Sequence, residues 1–511
     1  MSTTQRVIKN TIYLYVRMLV SILANIFTTR ILLEALGASD YGLYNVVGGA
    51  IMMLGFLTST MTHTTQRFLN YAEGEGDMKR IKEVFNNSLI VHYVVAIAFV
   101  LILLLAGFIF FNGVLNIPVG RESAALVIYA CLIFSTAFSV TIVPYDSILN
   151  AHENMFVYSI IGIFDVAFKL AVALIVLFVD TDRLILYGIL MALESWLVRY
   201  ITKRYCKKTY PECDKEELRK YYRKDTIKEI ASFAGWNLVN IASGMTSQYG
   251  KNVAVNHFFG TILNAALGIA TQLSGVIMGV SANMIKAITP ILVKSEAGNQ
   301  RERMLDITYI GCRFSYLLFS FFCIPVLFFT DYILKLWLGE VPIGTSIFCK
   351  LIIIAHLIEQ LVSFLYQAIA AQGNIRSYNI VKSIVNIMPL ISTILLFING
   401  YEAYWTIVCW IVWYSIGGGI VNLYYSRKNI GLSLKRYLRS VLFPSIIVTM
   451  TSVVLNVVLF RLSKLSVVSP LFYMMLSVVL SIPLYWLVGM NREERELVKK
   501  YIVRKSSNSV K

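Results

Sequence analysis

The N-terminal part of the chain contains a segment, residues 10–37, that is long enough to cross a bilayer as one helix, because about 20 residues at roughly 1.5 Å each span the hydrocarbon core. The segment is not uniformly apolar. Lipid would penalise its polar side chains, so we predict that they face protein or water. They lie within an arc of roughly 80° at about 100° per residue, and they are Asn10, Arg17, Ser21, Asn25 and Thr28.

A second helix repeats this pattern after a shift of 223 positions, which aligns Arg17 with Asn240 and Gly37 with Gly260. The similarity extends over about 120 residues, and such internal similarity is typical of transporters built from repeats. It predicts two six-helix bundles related by a pseudo-two-fold axis along the membrane normal, around a wet central cavity. The polar face of the second helix consists of Asn237, Asn240, Gly244, Ser247, Gln248 and Lys251.

Composition supports a polytopic, all-α membrane protein. Hydrophobic residues make up 57% of the 511 residues and charged residues 15%, whereas a soluble protein carries about 25% charged residues. We predict about fourteen transmembrane helices, of which the last two lie outside the repeat. Among them, helix 2 covers roughly residues 43–63, helix 7 about 230–256 and helix 10 about 344–371. The expected organisation is an N-terminal bundle, a basic cytoplasmic linker, a C-terminal bundle, helices 13 and 14, and a cytoplasmic tail, at residues 1–203, 204–228, 229–430, 431–490 and 491–511.

The net charge of +17 is unevenly distributed. If the N-terminus lies in the cytoplasm, the cytoplasmic segments hold 33 Lys and Arg residues and the outer loops hold 5. The positive-inside rule then places both termini in the cytoplasm. Seven cysteines, mostly within apolar runs, predict neither a disulfide framework nor a metal site. We also expect no cofactor and no nucleic-acid partner.

The polar first helix, together with the sequence LEALGASDYGLYNVV at residues 33–47, resembles the polysaccharide transport branch of the multidrug/oligosaccharidyl-lipid/polysaccharide exporter superfamily. This branch contains the Wzx-type flippases for O-antigen and capsule repeat units. The resemblance implies alternating access and movement of an undecaprenyl-diphosphate-linked glycan to the outer leaflet of the bacterial cytoplasmic membrane. It also makes the polysaccharide polymerase and the chain-length machinery candidate partners.

A diphosphate cargo requires cations and neutral hydrogen-bond donors. Arg17 and Lys251 either line the cavity or reach the interface, and Lys382 is close enough to a helix end for its ammonium to reach the membrane surface. His63 and Lys286, which match across the repeat, either receive the cargo or anchor the membrane surface. The candidate substrate-binding residues are Arg17, Asn25, Asn237, Asn240, Gln248, Lys251, His63 and Lys286.

Ionisable groups near the middle of the membrane are candidates for coupling to an ion or proton. For Asp165, the alternative is an ion pair with Lys169, four residues later. For the other candidates, the alternative is a structural hydrogen bond or a protonated acid. The GGG sequence at 417–419 favours close helix packing over phosphate binding. The coupling candidates are Asp165, Glu194, His356 and Glu359.

These features favour a flippase over an antiporter and over a membrane enzyme, and they leave one alternative cargo open. A multidrug/cation antiporter should carry an acid on the central face of the first helix, where this chain carries Arg17. A lipid II flippase would share the cationic cavity and stays open. A membrane glycosyltransferase or polymerase requires catalytic carboxylates or a large outer loop, and the sequence predicts neither.

Overall fold

The computed structural model describes residues 3–52, 55–109, 111, 120–179, 181–213, 217–465, 469–489 and 495. Within these ranges the regular structure is helical, without strands. The first six helices are α1 Thr3–Met52, α2 Gly55–Glu75, α3 Met78–Ile109, α4 Glu122–Ala151, α5 Met155–Phe178 and α6 Arg183–Thr209. The predicted all-helical class is therefore confirmed.

The second half begins with one long helical element and continues with shorter ones. This half also contains three π-helical segments, Trp410–Gly417, Leu438–Leu442 and Tyr485–Gly489. The α-helices are α7 Lys224–Ala297, α8 Arg301–Leu338, α9 Thr345–Leu361, α10 Leu365–Gln372, α11 Arg376–Ile398, α12 Trp405–Cys409, α13 Gly418–Ile430, α14 Leu434–Tyr437, α15 Phe443–Leu465 and α16 Pro470–Leu484.

Eleven helices within the described ranges are long and apolar enough to cross a membrane, or twelve if α9 and α10 form one bent span. The predicted spans 43–63 and 230–256 are outside this set. The first contains residues 53–54, which lie outside the described ranges. The second is helical throughout, but its polar side chains lower its mean hydropathy. The prediction of a multi-pass membrane protein is confirmed.

A single helix predicted over residues 344–371 is instead two helices, α9 and α10, with 43° between them. The break allows Phe364 to enter the core, where it is fully buried. Its ring lies against Gly311 of α8 so closely that a Cβ there would overlap it. The aromatic contact explains a bend that hydropathy does not show.

Two glycines interrupt the longest helices at matched places. Gly37 in α1 has φ 73° and ψ 168°, and Gly260 in α7 has φ 78° and ψ −171°. Only glycine adopts this region of φ and ψ without strain. The alignment of these two residues in the sequence repeat therefore corresponds to a shared backbone conformation.

The described residues form two compact units. The N-terminal unit is Arg6–Leu238 with Glu296–Gly298, and α4 packs there against α2, α3 and α6. The C-terminal unit contains Val239–Ser295 and the chain from Asn299. In it, α15 and α16 pack against each other and against α8.

The turn between α4 and α5 carries a charged cluster in the N-terminal unit. His152 contacts Glu212 at 2.5 Å and Glu73 at 3.3 Å, and its ring stacks on Tyr210 with centroids 4.3 Å apart. Burial alone would lower the pKa of His152, but the two carboxylates outweigh it and raise this pKa to about 9. The imidazolium therefore connects this turn to α2 and to the segment after α6.

Candidate functional site

The C-terminal unit contains a polar network between helices α7 and α11. Asn386 Nδ2 donates to Asn240 Oδ1 at 2.9 Å, and Asn240 Nδ2 donates to Asn379 Oδ1 at 3.1 Å. Asn386 also lies 3.4 Å from Ser243 Oγ. Because these amides hydrogen-bond to one another, they fix the register of α7 against α11.

The acid Glu359 of α9 is held by three partners. Its Oε1 accepts from Ser415 Oγ at 2.8 Å and from Trp410 Nε1 at 3.2 Å. Its Oε2 lies 2.8 Å from His356 Nδ1, and His356 Nε2 lies 2.6 Å from Ser274 Oγ. The structure therefore brings the two predicted coupling residues of this unit, His356 and Glu359, into one hydrogen-bonded chain.

Two lysines lie over two stacked aromatic rings beside this carboxylate. Trp410 and Tyr414 stack with centroids 4.1 Å apart. Lys251 Nζ lies 4.1 Å from the Trp410 ring centroid, and Lys382 Nζ lies 5.0 Å from that of Tyr414. Both lysines are buried, at 7% and 8% exposed. Within the described residues neither ammonium has a carboxylate oxygen within 4.0 Å, so aromatic faces provide their nearest compensation.

These side chains surround a cavity of about 610 Å³ within the C-terminal unit. Among the described residues that line it, Glu359 is the one acid, and Lys382 is the one cation. The buried Asn386 Oδ1 and Ser281 Oγ have no hydrogen-bond partner in the described protein. The cavity thus combines a cation, aromatic faces and polar groups able to bind a ligand. Its lining includes Asn240, Gln248, Asn386, Trp410 and Tyr414.

In the N-terminal unit, Arg17 packs against α5. Its guanidinium carbon lies 4.6 Å from the Tyr158 ring centroid, and a Cβ at Gly162 would overlap its side chain. Asn25, on the same predicted stripe, is exposed. The first polar face therefore contacts α5 near Arg17, and within the described residues it builds no network like that around Asn240.

The acids of the N-terminal unit also lie together. Asp165 forms the predicted alternative, an ion pair with Lys169 at 2.7 Å. Glu194 of α6 is 3% exposed and lies beside Asp165. A lysine and two neighbouring carboxyl groups from α5 and α6 thus form one cluster, which compensates charge inside the bundle.

Other predicted substrate residues lie elsewhere. Asn237 is buried and belongs to the N-terminal unit, one turn before Asn240. His63 is exposed in α2 of the N-terminal unit, and Lys286 is half-buried in α7 of the C-terminal unit. Lys286 does not line the cavity described above.

Sequence reasoning missed the role of Lys382, which was expected to reach the membrane surface and is instead buried at the cavity. The signal was present, because Asn379, Lys382 and Asn386 recur at helical spacing on α11 as the stripe of α7 does. Trp410 and Tyr414, four residues apart, form a second signal on the facing helix.

The solved structures show which fold this is. "MATE in the bent conformation" matches with a TM-score of 0.73 and 12% identity, over 85% of this chain and 97% of that chain. An outward-facing "multidrug resistance MATE family transporter of the MOP superfamily" matches with a TM-score of 0.68 and 12% identity, over 83% and 95%.

A third similar structure is a MOP superfamily transporter from Pyrococcus furiosus, whose description states that reverse polarity of its binding pocket suggests a different function. It matches with a TM-score of 0.66 and 12% identity, over 83% of this chain and 95% of that chain. No family model matches the sequence, and no curated protein matches it either. The chain therefore has the MATE transporter fold, and at this identity the likeness establishes the fold alone.

Proposed function

We propose that this protein is a flippase that exports an undecaprenyl-diphosphate-linked oligosaccharide repeat unit by alternating access. The transfer runs from the inner to the outer leaflet of the bacterial cytoplasmic membrane and supplies O-antigen, capsule or exopolysaccharide synthesis. One observation carries the proposal: Lys251 and Lys382 lie buried on the stacked rings of Trp410 and Tyr414, beside a cavity in a MATE-like fold.

The two lysines favour an anionic cargo. Burying a cation in a membrane protein is costly, at about 3 kcal/mol on insertion scales, so two such residues without ion pairs indicate a compensating anion during function. Glu359 does not supply it within 4.0 Å, because its oxygens are occupied by Ser415, Trp410 and His356. A diphosphate supplies the missing charge.

The remaining lining suits the sugar part of such a cargo. Aromatic faces stack on the apolar faces of sugar rings, and amide groups exchange hydrogen bonds with hydroxyls. Trp410 and Tyr414 provide the aromatic faces. The amide groups come from Gln248, Asn240 and Asn386. The cavity is therefore suited to a headgroup that contains both phosphate and sugar.

The membrane potential would favour this direction of transport. A headgroup with about two negative charges gains roughly 4.6 kcal/mol per 100 mV as it moves outward through an inside-negative field. With both termini in the cytoplasm, as the positive-inside rule predicts, the basic segments face the leaflet where lipid-linked sugars are assembled. Export then requires no strict exchange ion.

A cation antiporter is the second candidate, and the buried Glu359 is the observation that favours it. In that case the carboxylate would bind the cationic drug directly. Its three hydrogen-bond partners and the two nearby lysines oppose this, because a cation would enter a cavity that Lys382 lines and that Lys251 adjoins through the Trp410 ring. The similar P. furiosus transporter, described as having reverse polarity of its pocket, shows that pocket charge varies within this fold.

Reconstitution of the full chain in liposomes tests the proposal. Fluorescent undecaprenyl-diphosphate oligosaccharide should become accessible to an external quencher in vesicles with the wild-type protein. Lys251→Gln combined with Lys382→Gln should abolish this, while Lys350→Gln should not, since Lys350 instead pairs with Asp331 at 2.8 Å. Gradient-driven extrusion of ethidium without glycan movement would overturn the proposal in favour of antiport, and preference for lipid II would redirect it to that cargo.

A further inference from the structure

A second cavity, of about 810 Å³, lies in the N-terminal unit among α3, α4 and α6. It is separate from the site proposed for transport. Its lining carries five cations from consecutive turns at the end of α6: Arg199, Lys203, Arg204, Lys207 and Lys208. No acid is present among its described lining residues, although Asp146 lies near Arg199. The cavity is therefore strongly cationic.

The rest of the lining is apolar and aromatic. Phe138 and Ile142 of α4 line it, and Trp196 and Tyr200 of α6 stack there with centroids 5.5 Å apart. The two stacked rings are 39% and 48% exposed. Such half-exposed Trp and Tyr rings are typical of the membrane interface, where one side contacts acyl chains and the other contacts headgroups.

The helix geometry orders these features along one face. Trp196, Arg199, Tyr200 and Lys203 follow one another along α6, and Lys207 lies in its last turn. A ligand in this cavity therefore meets both aromatic rings and Arg199 deeper in the span, and cations alone at the end of α6. Dipole stabilisation explains why cations occur in the last turn, but it does not explain why five of them converge on one cavity with an aromatic wall.

We infer that this cavity binds an anionic phospholipid of the cytoplasmic leaflet, with its phosphate at the end of α6 and its acyl chains along α4. Charge complementarity selects the headgroup, since cationic pockets at the cytoplasmic ends of membrane helices match anionic lipids. The abundance of phospholipid in the bilayer favours it over a rare lipid-linked sugar. Arg199, held by Ser139 Oγ at 2.5 Å, positions the inner edge of the site.

Native mass spectrometry of the full chain tests this inference. The protein is taken from nanodiscs containing equal amounts of phosphatidylglycerol and phosphatidylcholine, and retained lipids are counted. Wild type should retain phosphatidylglycerol at least about tenfold over phosphatidylcholine. The variant Lys203→Gln, Arg204→Gln, Lys207→Gln, Lys208→Gln should lose that preference.

The matched control removes four exposed cations of the same unit, at Lys79, Lys220, Lys224 and Lys228, and should retain the lipid. Changing the three lysines of the cavity to Arg should also retain it, which separates loss of charge from loss of folding. Gel filtration and thermal melting check that each variant is folded.

Four results would overturn the inference. The first is equal lipid retention by the cavity variant and its control, and the second is equal retention of phosphatidylcholine by wild type. Displacement of phosphatidylglycerol by undecaprenyl phosphate at equal mole fraction would assign the cavity to the transported lipid instead. Displacement by millimolar inorganic phosphate would make it a site for free anions.

Discussion

Replacing Gly418 by Ala should weaken diphosphate binding by moving one lysine without removing its charge. A Cβ at Gly418 would overlap Lys382 Nζ, whereas a Cβ at the adjacent Gly419 would meet Val362 at an ordinary distance of 3.6 Å. The ammonium is the end of a flexible side chain, so it can withdraw at little cost to folding. Gly419→Ala is therefore a matched control on the same helix, α13.

The expected size follows from Coulomb's law. An ammonium about 4 Å from one phosphate charge contributes about 4 kcal/mol at an effective dielectric constant of about 20. Withdrawal by about 1.5 Å lowers this to about 3 kcal/mol, and a loss of about 1 kcal/mol weakens binding about fivefold. Lys382→Gln removes the charge and, after allowance for its desolvation, should weaken binding by about 10- to 100-fold.

Isothermal titration of the purified full chain with farnesyl diphosphate, a soluble prenyl diphosphate, measures these effects. Because Gly418→Ala acts through Lys382, the double variant should bind no more weakly than Lys382→Gln alone. Additive losses in the double variant, or an equal loss in Gly419→Ala, would show that the position of Lys382 does not determine the affinity. Unchanged affinity in Lys382→Gln would refute the anion site itself.

Three further results are expected. Glu359→Gln should tighten farnesyl diphosphate binding, because it removes the one acid among the described residues of the cavity lining, and weaker binding in the same titration would contradict this. Folding raises the pKa of His152 to about 9, so the stabilisation of the folded protein by this imidazolium is complete below about pH 6.5 and is lost as pH rises through about 9. The difference in melting temperature between wild type and His152→Asn should therefore shrink between about pH 6.5 and about 9. A constant difference would refute this. Gly37→Ala and Gly260→Ala should each reduce the free energy of unfolding by about 1–3 kcal/mol, because alanine is strained at these φ and ψ values, and unchanged denaturant midpoints would argue against the helix breaks.

The helical architecture could be predicted because helices that cross a membrane consist of long apolar runs, which hydropathy detects. Apolar runs of span length marked most of the helices, and the repeat located Gly37 and Gly260 as matched positions. Local breaks in these helices were harder to predict from the sequence. The break between α9 and α10 depends on Phe364 packing against Gly311 of another helix, a contact that no periodicity within residues 344–371 encodes.

The candidate site was predictable in part for the same reason. The polar stripe of α7 predicted that Asn240, Gln248 and Lys251 face protein or water; Asn240 and Gln248 line the cavity, and Lys251 is buried. Its partners were harder to find, because they come from α9, α11 and the π-helical segment, and only packing shows which faces meet. Lys382 was judged by its distance from a helix end, whereas Tyr414 and the space left by Gly418 determine its actual position.

The repeat predicts that the two halves share a backbone arrangement, but it does not predict that they carry the same polar residues. The helix break needs only apolar faces and one glycine with positive φ, so both halves keep this break. The shift of 223 positions aligns Lys251 of the C-terminal unit with Thr28 of the N-terminal half, so the aligned position is a cation in one half and a neutral residue in the other. One cation pair is sufficient for one diphosphate, so cargo binding does not require a second such site. In the N-terminal unit, Asp165 pairs with Lys169 and lies beside Glu194, so the chemistry of each half follows from which polar residues its packed bundle brings together.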